Sequence, residues 1–247
     1  MYRQKDIKPK NIYRCDGMIA IASDIHFPFQ DDKAVKAFID YCEKNRPAVI
    51  IIAGDVLDFY KLSRFTKGEG RNPYEEMEMC RDFFRTLRER VGEETEIYYV
   101  IGNHETRLEN YTLSNAPQLA TLIEDVFTIL KVSEFKVIGC SEVVINNEFV
   151  VTHGKLLGNK AGLSAIKEIE KHYMSGASGH THRLAHFITR KAGRKFEWFE
   201  TGCLCRLDPE YVQDPDWWQG FVVLYYEDTR RVFGKTIEIQ DGKILEV

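Results

Sequence analysis

Two β-sheets covered by outer helices, an α/β arrangement, is the fold class that this 247-residue sequence predicts. Three features carry that prediction. In the first half, short apolar runs alternate with segments whose apolar residues recur every three or four positions, a pattern that builds a sheet with crossover helices. The second half changes to closely spaced strand-like runs with turn signals between them. Finally, Asp, Asn or His follows each of five strand-like stretches, and α/β sheets assemble their sites outside the carboxyl ends of strands.

Taken in order, Met18 to Ala22 reads as a short buried strand and Asp31 to Asn45 as a helix with Val35, Phe38, Ile39 and Cys42 on one face. Ala48 to Ala53 is a continuous apolar run, as in a strand covered on both sides. Pro73 to Val91 is a helix, with the stripe Met77, Cys80, Phe84, Leu87 and Val91 and a proline suited to its first turn. Ile97 to Ile101 is a strand and Gln118 to Leu130 a helix. Glu142 to Ile145 and Phe149 to Thr152 flank Asn146-Asn147 as a hairpin, and Gly162 to Tyr173 is a helix. A meander follows: Ala185 to Thr189, Phe196 to Glu200, Phe221 to Tyr226, Val232 to Glu238 and Ile244 to Val247. Residues 1–247 read as one domain, with the β-rich part 185–247 expected to complete the second sheet.

Composition is that of a soluble globular chain, 44% hydrophobic and 29% charged. The net charge of −4 excludes the strongly basic balance of a dedicated nucleic-acid binder, and two bound divalent cations would cancel it. No run of about 18 uncharged apolar residues is present to span a membrane. The polar start MYRQKDIKPK lacks a secretory apolar stretch, and the six cysteines are scattered without a CxxC pair, so a cytoplasmic setting with free thiols is expected.

The chemistry lies after the strands. The five segments are Ser23-Asp24-Ile25-His26, Gly54-Asp55-Val56-Leu57-Asp58, Gly102-Asn103-His104-Glu105, His153-Gly154 and Gly179-His180-Thr181-His182. Five of the seven histidines fall in them. Mixed carboxylate and imidazole donors suit manganese, iron or zinc better than calcium or magnesium. No cysteine belongs to the set, which disfavours a structural zinc site. Two ions about 3.5–4 Å apart would clamp both oxygens of an in-line displacement.

The ordered series D-x-H, G-D-x-x-D, G-N-H-E, H-G and G-H-x-H, across residues 24–182, resembles the calcineurin-like metallophosphoesterase superfamily. The resemblance implies a four-layer α/β/β/α sandwich of two mixed β-sheets with flanking helices, and two divalent metal ions: manganese first, iron or zinc as alternatives. It implies that Asp24, His26 and His182 hold one metal, that Asn103, His153 and His180 hold the other, and that Asp55 bridges them. A hydroxide between the metals would attack phosphorus, His104 would protonate the leaving oxygen, and Asp58 would orient His104.

The phosphoprotein phosphatases of this superfamily continue their second motif D-R-G. Here Asp58 is followed by Phe59 and Tyr60, so their phosphate-gripping arginine is missing from that place. The expected activity is therefore a phosphodiesterase or nuclease acting on DNA, RNA or a nucleotide. A phosphomonoesterase for a metabolite or phosphoprotein, or an inactive metal-binding scaffold, are the alternatives.

Arg107 and Arg183 are candidate substrate contacts, as is Arg64; an ordinary surface role is the alternative for each. His172 is expected to be solvated and His186 a plain strand residue. Two basic clusters, Lys155, Lys160 and Lys167, then Arg190, Lys191, Arg194 and Lys195, read as phosphate contacts or solvated surface. Trp217 and Trp218 could stack on a base or close the join between the last strands and the core.

Overall fold

The computed structural model describes residues 7–62, 72–158, 162–208 and 215–245; Arg64, Lys160 and the last residues of the final expected strand lie outside these. Two sheets form. The first has seven strands. Its parallel half comprises β2 (Gly17–Ala22), β3 (Val49–Ile52), β4 (Glu96–Val100) and β5 (Val137–Cys140), paired in that order. The antiparallel strands β11 (Gly220–Glu227), β12 (Arg230–Gln240) and β13 (Lys243–Leu245) extend it from the free edge of β2. The second sheet has six strands in the order β1 (Lys10–Ile12), β6 (Val143–Ile145), β7 (Phe149–Thr152), β8 (Ser175–Ser178), β10 (Arg194–Thr201) and β9 (Leu184–Lys191).

The meander after residue 184 therefore divides between the sheets instead of completing the second alone. The β9–β10 hairpin joins the second sheet, whereas β11 to β13 return to the first. Backbone pairing explains the split: β2 would otherwise present an open edge beside the site, and β11 covers it from Val222 opposite Ile21 to Tyr226 opposite Gly17.

Strand alternation builds the layers. Ile19, Ile21, Val49, Ile51, Tyr98 and Val100 face inward and meet Val143, Ile145, Phe149, Val151 and Phe199 of the second sheet. Ala20, Ala22, Ile50, Ile52, Ile97 and Tyr99 face outward and are covered by α1 (Asp32–Asn45) and α2 (Pro73–Val91) through Phe38, Cys42, Phe84 and Leu87. On the far side α5 (Leu163–His172) packs Ala165 and Ile169 on Val150, Phe196 and Trp198. The result is the expected four-layer sandwich of two mixed sheets. Because β3 is covered on both faces, it reads as an unbroken apolar run.

Local signals account for most helix ends. The Asp31 carboxylate accepts from the amides of Lys33 and Ala34 to start α1, and Asn72 accepts from Tyr74 N to start α2 with Pro73 behind it. The helix expected over 118–130 is instead a 3₁₀ turn, Pro117–Leu122, then the short α4 (Val126–Ile129). Asp125 is the reason: its Oδ1 accepts from Phe127 N at 3.0 Å and Thr128 N at 3.2 Å, which starts a new helix rather than continuing one. The helix α3 (Arg107–Asn115) lacked an apolar stripe to announce it; only Thr112 is buried. β8 is made of small residues because the Trp198 indole lies over it: a Cβ on Gly176 would come within 2.4 Å of Trp198 Cζ3.

Arg88, near the end of α2, bridges three segments. Its guanidinium donates to Phe135 O at 3.0 Å, Thr95 O at 2.8 Å, Gly92 O at 2.5 Å and Lys136 O at 3.0 Å. Arg88→Ala strands carbonyls of the β4 and β5 entry turns and is expected to cost about 2 kcal/mol, seen as a lowered urea midpoint. An unchanged midpoint would show that water replaces the guanidinium without loss.

Candidate metal centre

All five motif segments leave their strands at one end of the sandwich and meet over the cleft between the sheets. Asp24 and His26 follow β2, Asp55 and Asp58 follow β3, Asn103 and His104 follow β4, His153 follows β7, and His180 and His182 follow β8. Four groups of ligand-type atoms form there among the described residues, each with its atoms within 4.8 Å of one another: Asp24 with His26 and His182, Asp55 with His153 and His180, His26 with Asp58 and His104, and His182 with Cys203 and Cys205, so that two cysteines not expected in the set stand beside it. Asn103 joins the second group, its Oδ1 being 2.9 Å from His153 Nε2. All seven residues expected to bind metal are thus brought together. Asp55 stands between the first two groups, its Oδ2 lying 3.1 Å from His153 Nε2 and 3.9 Å from His26 Nε2.

Three of the imidazoles are oriented alike. His153 Nδ1 donates to Ala53 O at 2.8 Å, His104 Nδ1 to Asp58 O at 2.9 Å, and His26 Nδ1 faces Asp58 Oδ2 at 3.2 Å. Each bond leaves Nε2 turned inward with a lone pair for a cation or a proton. Asp58 thus orients His26 as well as His104, whose Nδ1 is also 3.4 Å from Asp58 Oδ2.

The donors fit a pair of divalent cations. Asp24 Oδ1 is fully buried and finds no hydrogen bond, although His182 Nε2 is 3.2 Å and His26 Nε2 3.6 Å away. His26 Nε2 and His182 Nε2 face each other at 3.1 Å, an arrangement that one shared cation resolves without a trapped proton. Burial opposes ionisation of Asp24, Asp55 and Asp58, yet the surrounding imidazoles hold all three carboxyls below their ordinary range. Burial likewise opposes charge on His153, but the Asp55 carboxylate raises it to about 9. His182 and His180, with burial dominant, are pushed down and favour the neutral, ligating form.

Five of the seven, Asp24, His26, Asp55, His180 and His182, have left-handed backbone, with φ from 53° to 70°. A non-glycine residue there costs on the order of 1 kcal/mol, and such strain persists only where the surroundings impose it. At Asp55 a buried glutamate imposes it, and two more glutamates hold neighbouring loops. Glu105 accepts from the amides of Asp55 at 2.9 Å, Val56 at 2.8 Å, Leu57 at 3.2 Å and Gly102 at 2.8 Å, and from the Tyr99 hydroxyl at 2.6 Å. Glu76 of α2 accepts from Phe59 N at 2.6 Å, and Glu168 of α5 accepts from Lys155 N at 3.0 Å and Leu156 N at 3.3 Å. Gly102 must be glycine for the same packing, since a Cβ would lie 2.1 Å from Asp55 Oδ1. Glu105 was visible in sequence only as the last letter of G-N-H-E; the roles of Glu76 and Glu168 carried no sequence signal beyond helical charge.

Arg107 joins the site, donating to Asp58 O at 2.7 Å, to Asp58 Oδ1 at 3.1 Å and to His104 Nε2 at 2.9 Å. Arg183 is engaged elsewhere, with Asp216 Oδ2 at 2.5 Å and Gly158 O at 3.1 Å. His172 is not solvated: it stacks on Trp198, with ring centroids 6.0 Å apart, and lies 3.4 Å from Glu168 Oε2. His186 stacks on Phe199 at 4.1 Å. The basic residues of the β9–β10 turn sit at the far end of an eight-residue strand from His182, about 25 Å away. Lys191 pairs there with Glu170, and Lys195 with Glu197. All six cysteines are free and buried, and no helix among the described residues is long and apolar enough to cross a membrane.

Glu105→Ala would strand the amides of Asp55, Val56 and Leu57 and is expected to cost at least about 3 kcal/mol by urea unfolding; a loss under 1 kcal/mol would mean that the loop holds itself. Glu168 tests the opposite side of the cleft. Its folded-state pKa is depressed from 4.5 to about 2: burial opposes this, but His172 and the amides of Lys155 and Leu156 outweigh it. A depressed acid contributes stability that is complete above its unfolded value and lost as pH falls through the folded one. Glu168→Gln should therefore cost up to about 3 kcal/mol at pH 6 and converge on the parent near pH 2, a difference read from paired urea midpoints. A gap independent of pH would assign the loss to packing.

Comparison with known proteins agrees with this geometry. The chain is 27% identical over 245 residues to the Gene 54 protein of Mycobacterium phage L5, covering 91% of this chain and 94% of that protein. It is 28% identical over 182 residues to the Gene 54 protein of Mycobacterium phage D29, covering 67% and 69%. Among solved structures, Vacuolar Protein Sorting 29 from Cryptosporidium parvum superposes with a TM-score of 0.52 at 16% identity, over 93% of this chain and 94% of that one. Vps29 from Entamoeba histolytica complexed with Zn²⁺ superposes with a TM-score of 0.50 at 14% identity, over 92% and 96%. The family model for calcineurin-like phosphoesterases matches residues 17–201, which run from the first strand of the parallel sheet through the last histidine of the site to the end of β10, and the chain belongs to that family.

Proposed function

We propose that this protein is a phosphodiester hydrolase working with two divalent metal ions, manganese for preference, on a nucleotide or nucleic acid in the cytoplasm. The observation that carries the proposal is the orphaned Asp24 Oδ1 beside two inward-facing Nε2 atoms, repeated across Asp55 as a second donor group. Asp24, His26 and His182 would hold one ion, Asn103, His153 and His180 the other, and Asp55 both. Such a pair supplies Lewis-acid charge at the phosphoryl oxygens and acidifies water at neutral pH.

The chain's own groups do the rest. His104 stands at the rim, its Nε2 3.7 Å from Asp55 Oδ2 and accepting from Arg107; once Arg107 turns from that nitrogen to the phosphoryl group, Nε2 is free to take up the proton that the leaving ester oxygen then receives. Its Nδ1 bond to Asp58 O keeps the ring edge aimed at the cleft, and the Asp58 carboxylate steadies the imidazolium. Arg107, beside His104 Nε2, supplies the guanidinium that the second motif lacks and grips a non-bridging oxygen. Glu105 and Gly102 keep the loop after β3 against the loop after β4, so Asp55 and Asn103 need not reorganise during the reaction.

The test is a substrate panel with the manganese-loaded protein: simple mono- and diesters, single- and double-stranded DNA, RNA and cyclic nucleotides. Diester preference is expected. Preference for monoesters selects the phosphomonoesterase, and no turnover with metal content verified selects the scaffold. His104→Ala should keep its metal and lose roughly 10²–10⁴-fold in turnover of diesters with poor leaving groups; parental rates would remove the proton-donor role.

A further inference from the structure

Beside the metal centre lies a cavity of about 620 Å³ that the proposed chemistry does not use. This falls within the range of small-molecule sites, roughly 300–1,000 Å³. Its wall nearest the centre is Trp217, whose ring packs on the His182 imidazole with centroids 4.1 Å apart. Trp218 forms a second aromatic wall and is 51% exposed, so it does not close the join between strands and core.

The segments that shape the cavity hang from the site itself. Trp218 N donates to His182 O at 2.8 Å, Leu204 N to Asp24 O at 3.1 Å, and Arg206 N to Phe29 O at 3.0 Å. Cavity and metal centre therefore share backbone, and the Trp217 indole borders both.

The polar lining limits what fits. Asp31, Asp208, Glu238 and Asp241 outnumber Lys33 and Arg206. A run of phosphates would meet excess carboxylate, and a permanent cation would meet Lys33 and Arg206. A neutral, planar group rich in hydrogen-bond donors and acceptors meets neither obstacle: its flat face suits an indole, and its edges suit the mixed carboxylates, guanidinium and ammonium. A nucleobase with its sugar has that chemistry.

We propose that this cavity seats one nucleoside of the substrate against Trp218 and Trp217, making the protein selective for esters of a single nucleotide over polynucleotides. This rests on the phosphodiesterase reading above and narrows it. The basic turn of the β9–β10 hairpin is distant from the cleft, and Lys191 and Lys195 are engaged there in local ion pairs.

Two measurements test it. The first compares kcat/KM for the p-nitrophenyl ester of thymidylate with that for methyl p-nitrophenyl phosphate in the manganese-loaded protein. The parent should favour the thymidylate ester, and Trp218→Ala should reduce the ratio by roughly 5-fold or more, the least expected from a lost base stack. Trp218→Phe should restore most of it. The second is calorimetric titration of thymidine into the same three proteins without turnover, with saturable binding expected in the parent and weakened at least 5-fold in Trp218→Ala. An unmoved ratio, no saturable heat in the parent, or a higher kcat/KM for a single-stranded oligonucleotide than for the thymidylate ester overturns the nucleoside site. If neither ester turns over, the hydrolase reading fails, and the titration alone still decides whether the cavity takes a nucleoside.

Discussion

Beneath the loop that follows β3, the Glu105 carboxylate collects four backbone amides and a tyrosine hydroxyl while only 1% exposed. A buried carboxylate is tolerable only when its oxygens are fully engaged, and these are engaged by the backbone that carries Asp55 and by Gly102, which precedes Asn103. The bond network thus fixes two ligand-bearing loops relative to each other before any ion arrives. Glu168 repeats the device under Lys155 and Leu156, whereas Glu76 engages Phe59 N through one oxygen only. Sheets deliver the loops to one place, and buried carboxylates set their conformations.

That rigidity is what lets the centre hold charges that would otherwise disperse. Three carboxylates and several imidazoles lie within a few ångströms of one another, largely out of water. Burial drives each carboxyl toward its neutral form and the imidazoles drive it back, while the Asp55 carboxylate raises His153 in turn. Divalent cations do the same work without protons on the imidazoles. Left-handed backbone at five ligands belongs to the same trade: local stability is given up so that donors point at a common centre.

How much of this could be read from the chain differs by element. The buried strands β2, β3 and β4 announce themselves as apolar runs, and α2 through its stripe and Pro73, because their burial is complete and periodic. The metal-ligand candidates were legible because each follows such a strand. What escaped was governed by contacts distant in sequence. β8 is Ser-Gly-Ala-Ser, a poor strand by propensity that exists because Trp198 packs across it. The strands β11 to β13 looked like a continuation of the local meander, yet the open edge of β2 claims them for the other sheet. His172 looked solvated beside Lys171, and only the fold brings Trp198 and Glu168 to it.

Substrate choice follows the same logic of placement rather than composition. Counting lysines and arginines points to the 190–195 turn as a contact for a phosphate backbone, but its length of strand carries that turn away from the cleft. The aromatic pair at 217–218, ambiguous as sequence, is held against the centre by the backbone bond from Trp218 N to His182 O, by the bond from Cys203 N to Trp218 O, and by the packing of Trp217 on His182. A charged patch far from the reacting phosphorus can raise encounter rates but cannot distinguish transition states, whereas a wall touching a metal-ligand candidate can, because binding energy there is realised while the ester is being cleaved. On the phosphodiesterase reading proposed above, the indoles, and not the basic turn, would carry the discrimination among phosphoesters.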